Sequence, residues 1–542
     1  MGESASTGSV RDPLTATTFF ACFIVALSAW FTGGYSSAQI NVPQNLIIQW
    51  IRQVQCARIT DDLAPTTSSL NGTHRDAVLW CSDVPENETS LHLRGSGRLG
   101  AIWSMIGCGV MLGVSVGLLV TNHLVEWLGF RKALLVFNAL ELIGSIAAGC
   151  SVIARSYELF IIGRVIFGVG NACVVVCGVY VAEISTNNHR GALNVLGTVS
   201  LSAGILLANV IGLPQLLGTH DNWHHMYWIC LLPNLIFIAS YHFLPESPRW
   251  LCRKVRDTGK LETVLRRLRG RQNVDADICV LQNEVESAQK LRSQKLSILD
   301  LFRDGFLRKI LGICLLTMAA QRLTGYSVVL VYSTEMLRQC GITQALASYG
   351  TIILTALSAV VALLSSPLQD LVGRRPMLLG GLFGCALSTA AMVVFTVLTK
   401  YAVCSTCQYG NLVAMAFFVV CYAMGPASAP FLITAEMFGM TSRQSASAFG
   451  FLGSVSLATV ITAVFPTMQA YFMEWTFTIF AGITVILAIF LSVLLVETKG
   501  KSFLETQKTL EDRFCAGRKE PREPITPQGK DLEKQCKTLE NT

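Results

Sequence analysis

The chain consists mainly of apolar runs that are long enough to cross a lipid bilayer. A membrane-spanning helix needs about 20 predominantly apolar residues, and twelve runs of this kind can be counted. They lie near residues 19–38, 99–120, 133–154, 159–181, 191–213, 226–244, 310–331, 348–368, 377–398, 412–433, 446–466 and 475–496. With 52% hydrophobic and 14% charged residues, the chain cannot cover a soluble globule with polar surface. The predicted fold class is an all-α membrane protein with twelve transmembrane helices.

The polar residues between the runs occur twice, in the same order. Glu183 and Arg190 stand seven positions apart, and Glu436 and Arg443 repeat that pair 253 positions later. Two further repeated groups are Gly129-Phe130-Arg131-Lys132 with Gly373-Arg374-Arg375, and Pro245-Glu246-Ser247-Pro248-Arg249 with Glu497-Thr498-Lys499-Gly500. Paired repeats with a binding site between them are typical of transporters, because one half can rock against the other.

The repeat divides the chain into two six-helix halves. The predicted segments are a cytoplasmic N-terminus over 1–18, a first half over 19–248, linker helices over 249–309, a second half over 310–497 and a flexible cytoplasmic tail over 498–542. Helical spacing of apolar residues with mixed charge around them predicts that the linker forms short amphipathic helices.

Basic residues predict how the helices are oriented. Lys and Arg concentrate in the short loops that lie on the same side as both termini, whereas the alternate short loops contain few. Because Lys and Arg of short loops are retained on the cytoplasmic side, both termini are predicted to be cytoplasmic. The predicted location is the plasma membrane. The same distribution accounts for the net charge of +7 without a nucleic-acid partner.

A long polar segment at 41–98 is predicted to lie outside the cell. It contains two acceptor sequons, at Asn71 and Asn87, and two cysteines, Cys56 and Cys81. We expect glycosylation at the two asparagines. The cysteines either pair in the oxidising exterior or remain two separate thiols.

The repeated charges predict a gate at the cytoplasmic ends of the two halves. Matched acidic and basic residues there can pair when the halves close and separate when they rock. Ordinary interfacial charges that anchor helix ends are the alternative. The predicted gating residues are Arg131, Arg164, Glu183, Arg190, Glu246, Arg249, Arg374, Arg375, Glu436 and Arg443.

A set of motifs in the chain resembles a known family. The motifs are Gly163-Arg164 with Gly168, Glu183 with Arg190-Gly191, Pro245 to Leu251, Gln321 with Thr324-Gly325, Tyr332-Ser333-Thr334, Gly373-Arg374-Arg375, Ala435-Glu436-Met437-Phe438 and Glu497-Thr498-Lys499-Gly500. Together they resemble the sugar porter family of the major facilitator superfamily, in particular the animal facilitative glucose transporters.

The resemblance implies a carrier that moves a hexose or related polyol down its gradient, with a binding site at mid-membrane between the halves. The positions that correspond to the family's binding site are Thr198, Gln321, Arg322, Thr324, Ser327, Ser358, Phe431 and Ser454. Several differ from the family pattern: Arg322 replaces the second residue of a glutamine pair, and Ser327 and Ser454 replace asparagines. The substrate is therefore left open between a hexose and another solute.

The seventh run supports the same site from its own residues. Gln321, Thr324 and Ser327 recur at three-residue steps, so on a continuous helix they share one face. A polar face at bilayer depth predicts a cavity, although hydrogen bonds between helices are the alternative.

Other function classes remain open from the sequence. A carrier of an organic anion would explain Arg322, and a nutrient receptor without transport would keep the same fold. No arrangement of nucleophile and base, phosphate loop or metal cluster predicts an enzyme, a cofactor or a metal. The predicted partners are a small solute and the bilayer, and the sequence does not give the oligomeric state.

Overall fold

The computed structural model describes residues 15–63, 97–186, 189–255, 258–292, 302–303, 305–401, 406–438, 443–472, 475–499, 505 and 509. Within these ranges every regular element is helical. Eleven helical spans are long and apolar enough to cross a membrane, and the fifth span has a shorter apolar part. The twelve-helix prediction is confirmed.

The twelve spans follow the predicted runs in order. From the first to the twelfth they are Ala16–Ala38, Leu99–Leu128, Phe130–Cys150, Tyr157–Ile184, Arg190–Ile211, Trp223–Phe243, Gly305–Gln339, Gln344–Ser365, Arg374–Lys400, Cys407–Thr434, Ala446–Gln469 and Thr476–Leu494.

Two faces of the molecule can be distinguished by what they carry. The face with the linker helices Thr258–Arg269 and Asp275–Arg292 is called the linker face. The other, called the opposite face, carries the helix Gln44–Leu63 that follows the first span. The first of the linker helices is fixed to the start of the first span, because the hydroxyls of Thr15 and Thr18 donate to the Leu268 carbonyl at 3.0 and 3.2 Å.

The helix Gln44–Leu63 corrects the expectation of a loop that starts at residue 41. Ile47, Trp50 and Ile51 are buried in it, and the Trp50 ring lies 5.4 Å from the Trp223 ring. Polar residues interrupt the apolar ones throughout this segment, which is why the sequence predicts a loop. Its apolar residues nevertheless cover the ends of the neighbouring spans on the opposite face.

Small residues allow the spans of the first half to pack closely. A methyl group added to Gly168 would collide with the Val110 carbonyl of the second span, and one added to Gly163 would lie 2.7 Å from the Ala148 nitrogen of the third. Membrane helices commonly approach each other at such positions. The fourth span therefore lies against both the second and the third.

Several spans are interrupted within the membrane. The first contains the π-helical turn Ala26–Phe31. The fourth, seventh and tenth are each divided into two helices, which are Tyr157–Asn171 with Cys173–Ile184, Gly305–Leu323 with Tyr326–Gln339, and Cys407–Met424 with Ala429–Met437. Irregular backbone at membrane depth survives only where protein or a cavity satisfies its polar groups. The breaks in the seventh and tenth spans place the polar residues described below.

Candidate functional site

The first half carries a compact charged cluster on the linker face. Glu246, just beyond the sixth span, accepts hydrogen bonds at Oε1 from the backbone N–H groups of Phe130 and Arg131, at 3.0 and 3.2 Å. The Arg131 guanidinium donates in turn to the Tyr241 carbonyl at 3.0 Å. These contacts tie the start of the third span to the end of the sixth.

The second half builds the same cluster from the repeated residues. Glu497 accepts from the backbone N–H groups of Arg374 and Arg375, each at 3.1 Å. The Arg375 guanidinium donates to the Ser492 carbonyl at 2.7 Å. The ninth and twelfth spans are thus joined as the third and sixth are.

Glycine is required at the position before each of these spans. Gly129 has φ of 88° and Gly373 has φ of 114°, a region that other residues rarely adopt. A methyl group on Gly129 would lie 3.1 Å from the Glu246 carboxylate, and one on Gly373 would lie 2.9 Å from that of Glu497. Both glycines therefore let the carboxylate reach the first turn of the next helix.

The two clusters differ in one ion pair. In the second half, Arg374 Nε lies 3.1 Å from Glu436 Oε1. Phe130 takes the place of Arg374 in the first half, so the matching acid, Glu183, has no such ion pair with residue 130. Both acids accept from a hydroxyl, Glu183 from Ser247 and Glu436 from Thr498. Burial raises the pKa of Glu246, against the lowering effect of the backbone donors around it.

The remaining predicted gating residues lie at different places. Arg249 belongs to the short helix Pro248–Trp250 beside the first cluster. Arg164 is separate from it, since it precedes Glu183 by nineteen positions of the fourth span, roughly 28 Å of helix. Its Nε donates to the Ile106 carbonyl of the second span at 2.9 Å, so the structure does not group Arg164 with the gate. The side chains of Arg190 and Arg443 lie outside the described residues.

The two halves are joined near the opposite face. Asn41 donates from Nδ2 to the Leu330 carbonyl at 3.1 Å and to Ser333 Oγ at 2.7 Å, and its Oδ1 accepts from the Thr334 backbone at 3.2 Å. The Gln215 amide lies 3.2 Å from the Tyr349 hydroxyl. Sequence reasoning missed Asn41 because it ended the first span at residue 38.

A second link between the halves lies within the membrane. Asn209 of the fifth span donates to the Thr355 hydroxyl of the eighth at 3.0 Å. On the linker face, in contrast, the hydrogen bonds of Glu246 and Glu497 and the ion pair of Arg374 with Glu436 each stay within one half. These hydrogen bonds between the halves therefore lie near the opposite face and within the membrane.

The predicted binding residues of the seventh span lie at its break. Gly325 has φ of 85°, and the helix ends at Leu323 and restarts at Tyr326. The expected continuous polar face is therefore wrong: the Thr324 hydroxyl turns back to the Gln321 carbonyl at 2.8 Å. Ser327 follows the break and is buried.

Gln321 and Arg322 make contacts with other spans of the second half. Gln321 donates from Nε2 to the Ala427 carbonyl, at the break of the tenth span, at 2.8 Å. Arg322 donates from Nε to Ser454 Oγ of the eleventh span, also at 2.8 Å. Arg322 is half-buried, and among the described residues it has no acidic partner.

Aromatic rings lie close to this break. Tyr326 and Tyr422 stack with ring centroids 3.8 Å apart, and sequence reasoning gave no signal for either. Phe431 lies 5.8 Å from the Phe451 ring and is half-buried, as is Ser358. Thr198 lies on the fifth span, which belongs to the first half, and its side chain is exposed. A flat polar solute has stacking and hydrogen-bonding groups available here.

Glu141 is an acidic residue at membrane depth, in the third span of the first half. It is fully buried, and its Oε1 accepts from Asn171 Nδ2 at 3.1 Å. It is therefore not the partner of Arg322.

The outer-loop predictions fall mostly outside the described residues. Asn71, Asn87 and Cys81 are in this group. Cys56 lies within them and is disulfide-bonded. Glycosylation and the pairing of Cys56 with Cys81 therefore stay predictions.

Comparisons with known proteins agree over nearly the whole chain. The family model described as sugar (and other) transporter matches residues 21–510. Mouse solute carrier family 2, facilitated glucose transporter member 2 is 31% identical over 508 residues, which cover 91% of this chain and 94% of that protein. Human facilitated glucose transporter member 5 is 28% identical over 495 residues, 91% of each chain.

Solved structures show the same fold. The inward open conformation of the E. coli xylose transporter XylE superposes with a TM-score of 0.68 at 20% identity, covering 91% of this chain and 99% of that one. The partially occluded inward open conformation gives 0.67 at 20% identity, with coverage of 90% and 100%. The arrangement of two six-helix halves is thus the major facilitator fold.

Proposed function

Because the chain belongs to the sugar (and other) transporter family, we propose that it carries a hexose-like sugar across the membrane by facilitated diffusion. It is a multi-pass membrane protein of the major facilitator fold, and it works by alternating access rather than by covalent chemistry. The resemblance carried by its motifs is confirmed.

One observation carries the proposal most strongly: the same cluster is built twice, once in each half. Glu246 joins the third and sixth spans, and Glu497 joins the ninth and twelfth through equivalent backbone donors. Each half is thereby braced as a unit at the linker face. Two braced units that touch near the opposite face can rock about that contact and expose the space between them.

The binding site we propose is the region around the break of the seventh span. Gln321, Arg322 and Ser454 supply hydrogen-bonding groups, and the Tyr326–Tyr422 stack supplies a flat apolar surface. Sugars are bound in this way, with hydroxyls exchanging water for amide, hydroxyl and guanidinium groups. Thr198 and Ser358 complete the proposed site from the fifth and eighth spans.

The position of Glu141 supports transport without ion coupling. Proton relays in membranes use ionisable residues that reach a water-filled path. Glu141 is fully buried, and the Asn171 amide holds its carboxylate. We therefore propose that the sugar gradient alone drives transport.

We propose that the linker face is cytoplasmic, because the basic residues of the short loops lie there. The described contacts then correspond to a state closed to the outside, in a plasma membrane protein.

Purified protein in liposomes tests the function directly. We expect unlabelled hexose trapped inside to drive counterflow of labelled hexose, with the same rate in the presence and absence of a pH gradient. Binding of hexose without counterflow would indicate a receptor. Acceleration by an inward proton gradient would contradict facilitated diffusion, and Glu141→Gln would then test whether this residue couples the proton.

A further inference from the structure

The structure contains a basic cavity that the transport site does not use. It measures about 510 Å³ and lies on the linker face, between the end of the sixth span and the linker helix Thr258–Arg269. This volume is within the range of roughly 300–1,000 Å³ that is usual for small-molecule sites. Its walls include Arg131, Lys260 and Arg267, with His242 and Phe243 at the membrane side.

The charge of the cavity favours an anion. Arg131, Lys260 and Arg267 carry three positive charges, whereas Glu246 is the acid in the lining. The Glu246 carboxylate already accepts the backbone N–H groups of the third span, so it is occupied within the protein. The cavity as a whole is therefore positive.

Two of the basic groups have donors that no described residue uses. Arg131 Nε is buried and makes no hydrogen bond within the described part of the chain. Arg267 is exposed and has no hydrogen bond or ion pair with any described residue. Its neighbour Arg266 differs, because it pairs with Glu262 and donates from Nε to the Gln272 carbonyl at 3.0 Å.

The wall that carries Arg267 is held firmly in place. Leu261, Leu265 and Leu268 of that helix are each 2% exposed, and the threonine hydroxyls of the first span bind the Leu268 carbonyl. The cavity is therefore a built feature of the first half rather than a gap beside a loose segment.

The position of the cavity points to a lipid. The residues that line its membrane side, His242 and Phe243, belong to the last turn of the sixth span, where the headgroups of that leaflet lie. Phe243 is 70% exposed at this level and can contact acyl chains. Basic pockets at this depth on the cytoplasmic side of membrane proteins bind phosphate-bearing headgroups.

We propose that this cavity binds the headgroup of an anionic phospholipid through Arg267, Lys260 and Arg131. The choice of a lipid over a soluble phosphate rests on the proposed cytoplasmic orientation of the linker face, since anionic lipids are concentrated in that leaflet. Arg131 also belongs to the cluster of the first half, so an occupied cavity braces that cluster.

Thermal stabilisation of the purified full chain in neutral detergent tests the proposal without any transport assay. The probes are dioctanoyl phosphatidylinositol 4-phosphate, dioctanoyl phosphatidylcholine and inositol 1,4-bisphosphate. We expect the anionic lipid to stabilise the protein at lower concentrations than the other two. Arg267→Gln should weaken its apparent affinity about fivefold, the factor that corresponds to about 1 kcal/mol for one basic side chain near an anionic headgroup.

Arg266→Gln is the matched control, because it removes the same charge from the next position on the same helix. It should leave the affinity within about twofold of wild type, and Lys260→Gln should repeat the effect of Arg267→Gln. Equal weakening by Arg266→Gln and Arg267→Gln would overturn a defined site. Equal affinity for the phosphatidylcholine would overturn the charge argument, and equal affinity for the free headgroup would overturn the assignment to a lipid.

Discussion

Arg322 is the residue that most distinguishes this chain from a simple hexose carrier. An arginine near the middle of a membrane helix costs about 2.5–3.5 kcal/mol on insertion scales, so it needs a partner or a function. Glu335 is paired with Arg338 at 3.1 Å, and Glu141 is held by Asn171. Among the described residues, Arg322 binds the neutral hydroxyl of Ser454 instead. We propose that its remaining donors bind the substrate.

We predict that Arg322 biases the substrate towards solutes with negative charge or strong acceptor oxygens. Arg322→Gln should raise hexose uptake relative to the uptake of sugar acids and other organic anions. The measurement is the ratio of the two uptake rates in liposomes, at matched protein amounts.

Arg338→Gln is the control for this change, because it removes the same charge from the same span at a position paired with Glu335. It should leave the ratio unchanged. An unchanged ratio in Arg322→Gln would mean that Arg322 only braces the seventh span against the eleventh.

Glu183 and Glu436 should affect the balance of the two access states unequally. Glu436 forms an ion pair with Arg374, whereas Glu183 accepts from Ser247 alone among the described contacts. Neutralising Glu436 should therefore impair flux more than binding, through a shift in the equilibrium of about 1–3 kcal/mol. Glu183→Gln should shift the equilibrium in the same direction by a smaller amount.

The measurement compares the exchange rate with the hexose dissociation constant for each variant. Wild-type exchange in the double variant Glu183→Gln, Glu436→Gln would refute a gating role for both acids.

At the scale of helices, the sequence predicts the spans well and the breaks poorly. Runs of about 20 apolar residues are long enough to cross a membrane, so the number and order of the spans follow from hydropathy. A break depends on the backbone angle of one residue, such as Gly325, which no hydrophobic pattern reports. For this reason the sequence places Gln321, Thr324 and Ser327 on one face of the seventh span, and the structure does not.

The binding and gating residues are predictable to different degrees. The duplicated motifs identify Glu246 and Arg375 without coordinates, because repetition marks them without knowledge of their contacts. Asn41 and the Tyr326–Tyr422 stack join residues that are distant in sequence. Such contacts arise only when the spans are packed.

Gly325 should be essential to the break of the seventh span. A residue other than glycine at φ of 85° costs roughly 1–2 kcal/mol, and the new methyl would lie 3.3 Å from the Phe480 ring. Gly325→Ala should therefore lower the melting temperature in detergent and reduce sugar uptake.

Gly312→Ala is the control in the same span. Gly312 lies in regular helix, and a methyl there meets no atom within 4 Å. It should melt at or above the wild-type temperature. A wild-type melting temperature and uptake for Gly325→Ala would show that the break does not need the left-handed backbone.

At the scale of the whole molecule, the proposed orientation places residues 64–96 outside the cell. Asn71 or Asn87 should then carry a glycan when the protein is made in animal cells. Glycosidase treatment should increase gel mobility, and Asn71→Gln combined with Asn87→Gln should abolish the shift. Labelling of this loop from the cytoplasm would overturn the orientation.

The central claim is that two braced halves rock about their contact and expose a sugar site alternately. Trp127 and Leu371 are repeat-equivalent positions on the linker face, one in each half, and are 76% and 74% exposed. Leu216 and Leu346, one in each half, form a second pair on the opposite face and are 52% and 47% exposed. Probes at these four positions report opening on either side.

The most direct measurement is the distribution of distances between site-specific spin labels at each pair, with and without hexose. We predict two populations at Trp127 and Leu371, a longer one that matches this structure and a shorter one. Hexose should change their ratio, and the pair at Leu216 and Leu346 should change in the opposite sense. A single distance at both pairs that hexose leaves unaltered, in protein that still transports hexose, would contradict the account.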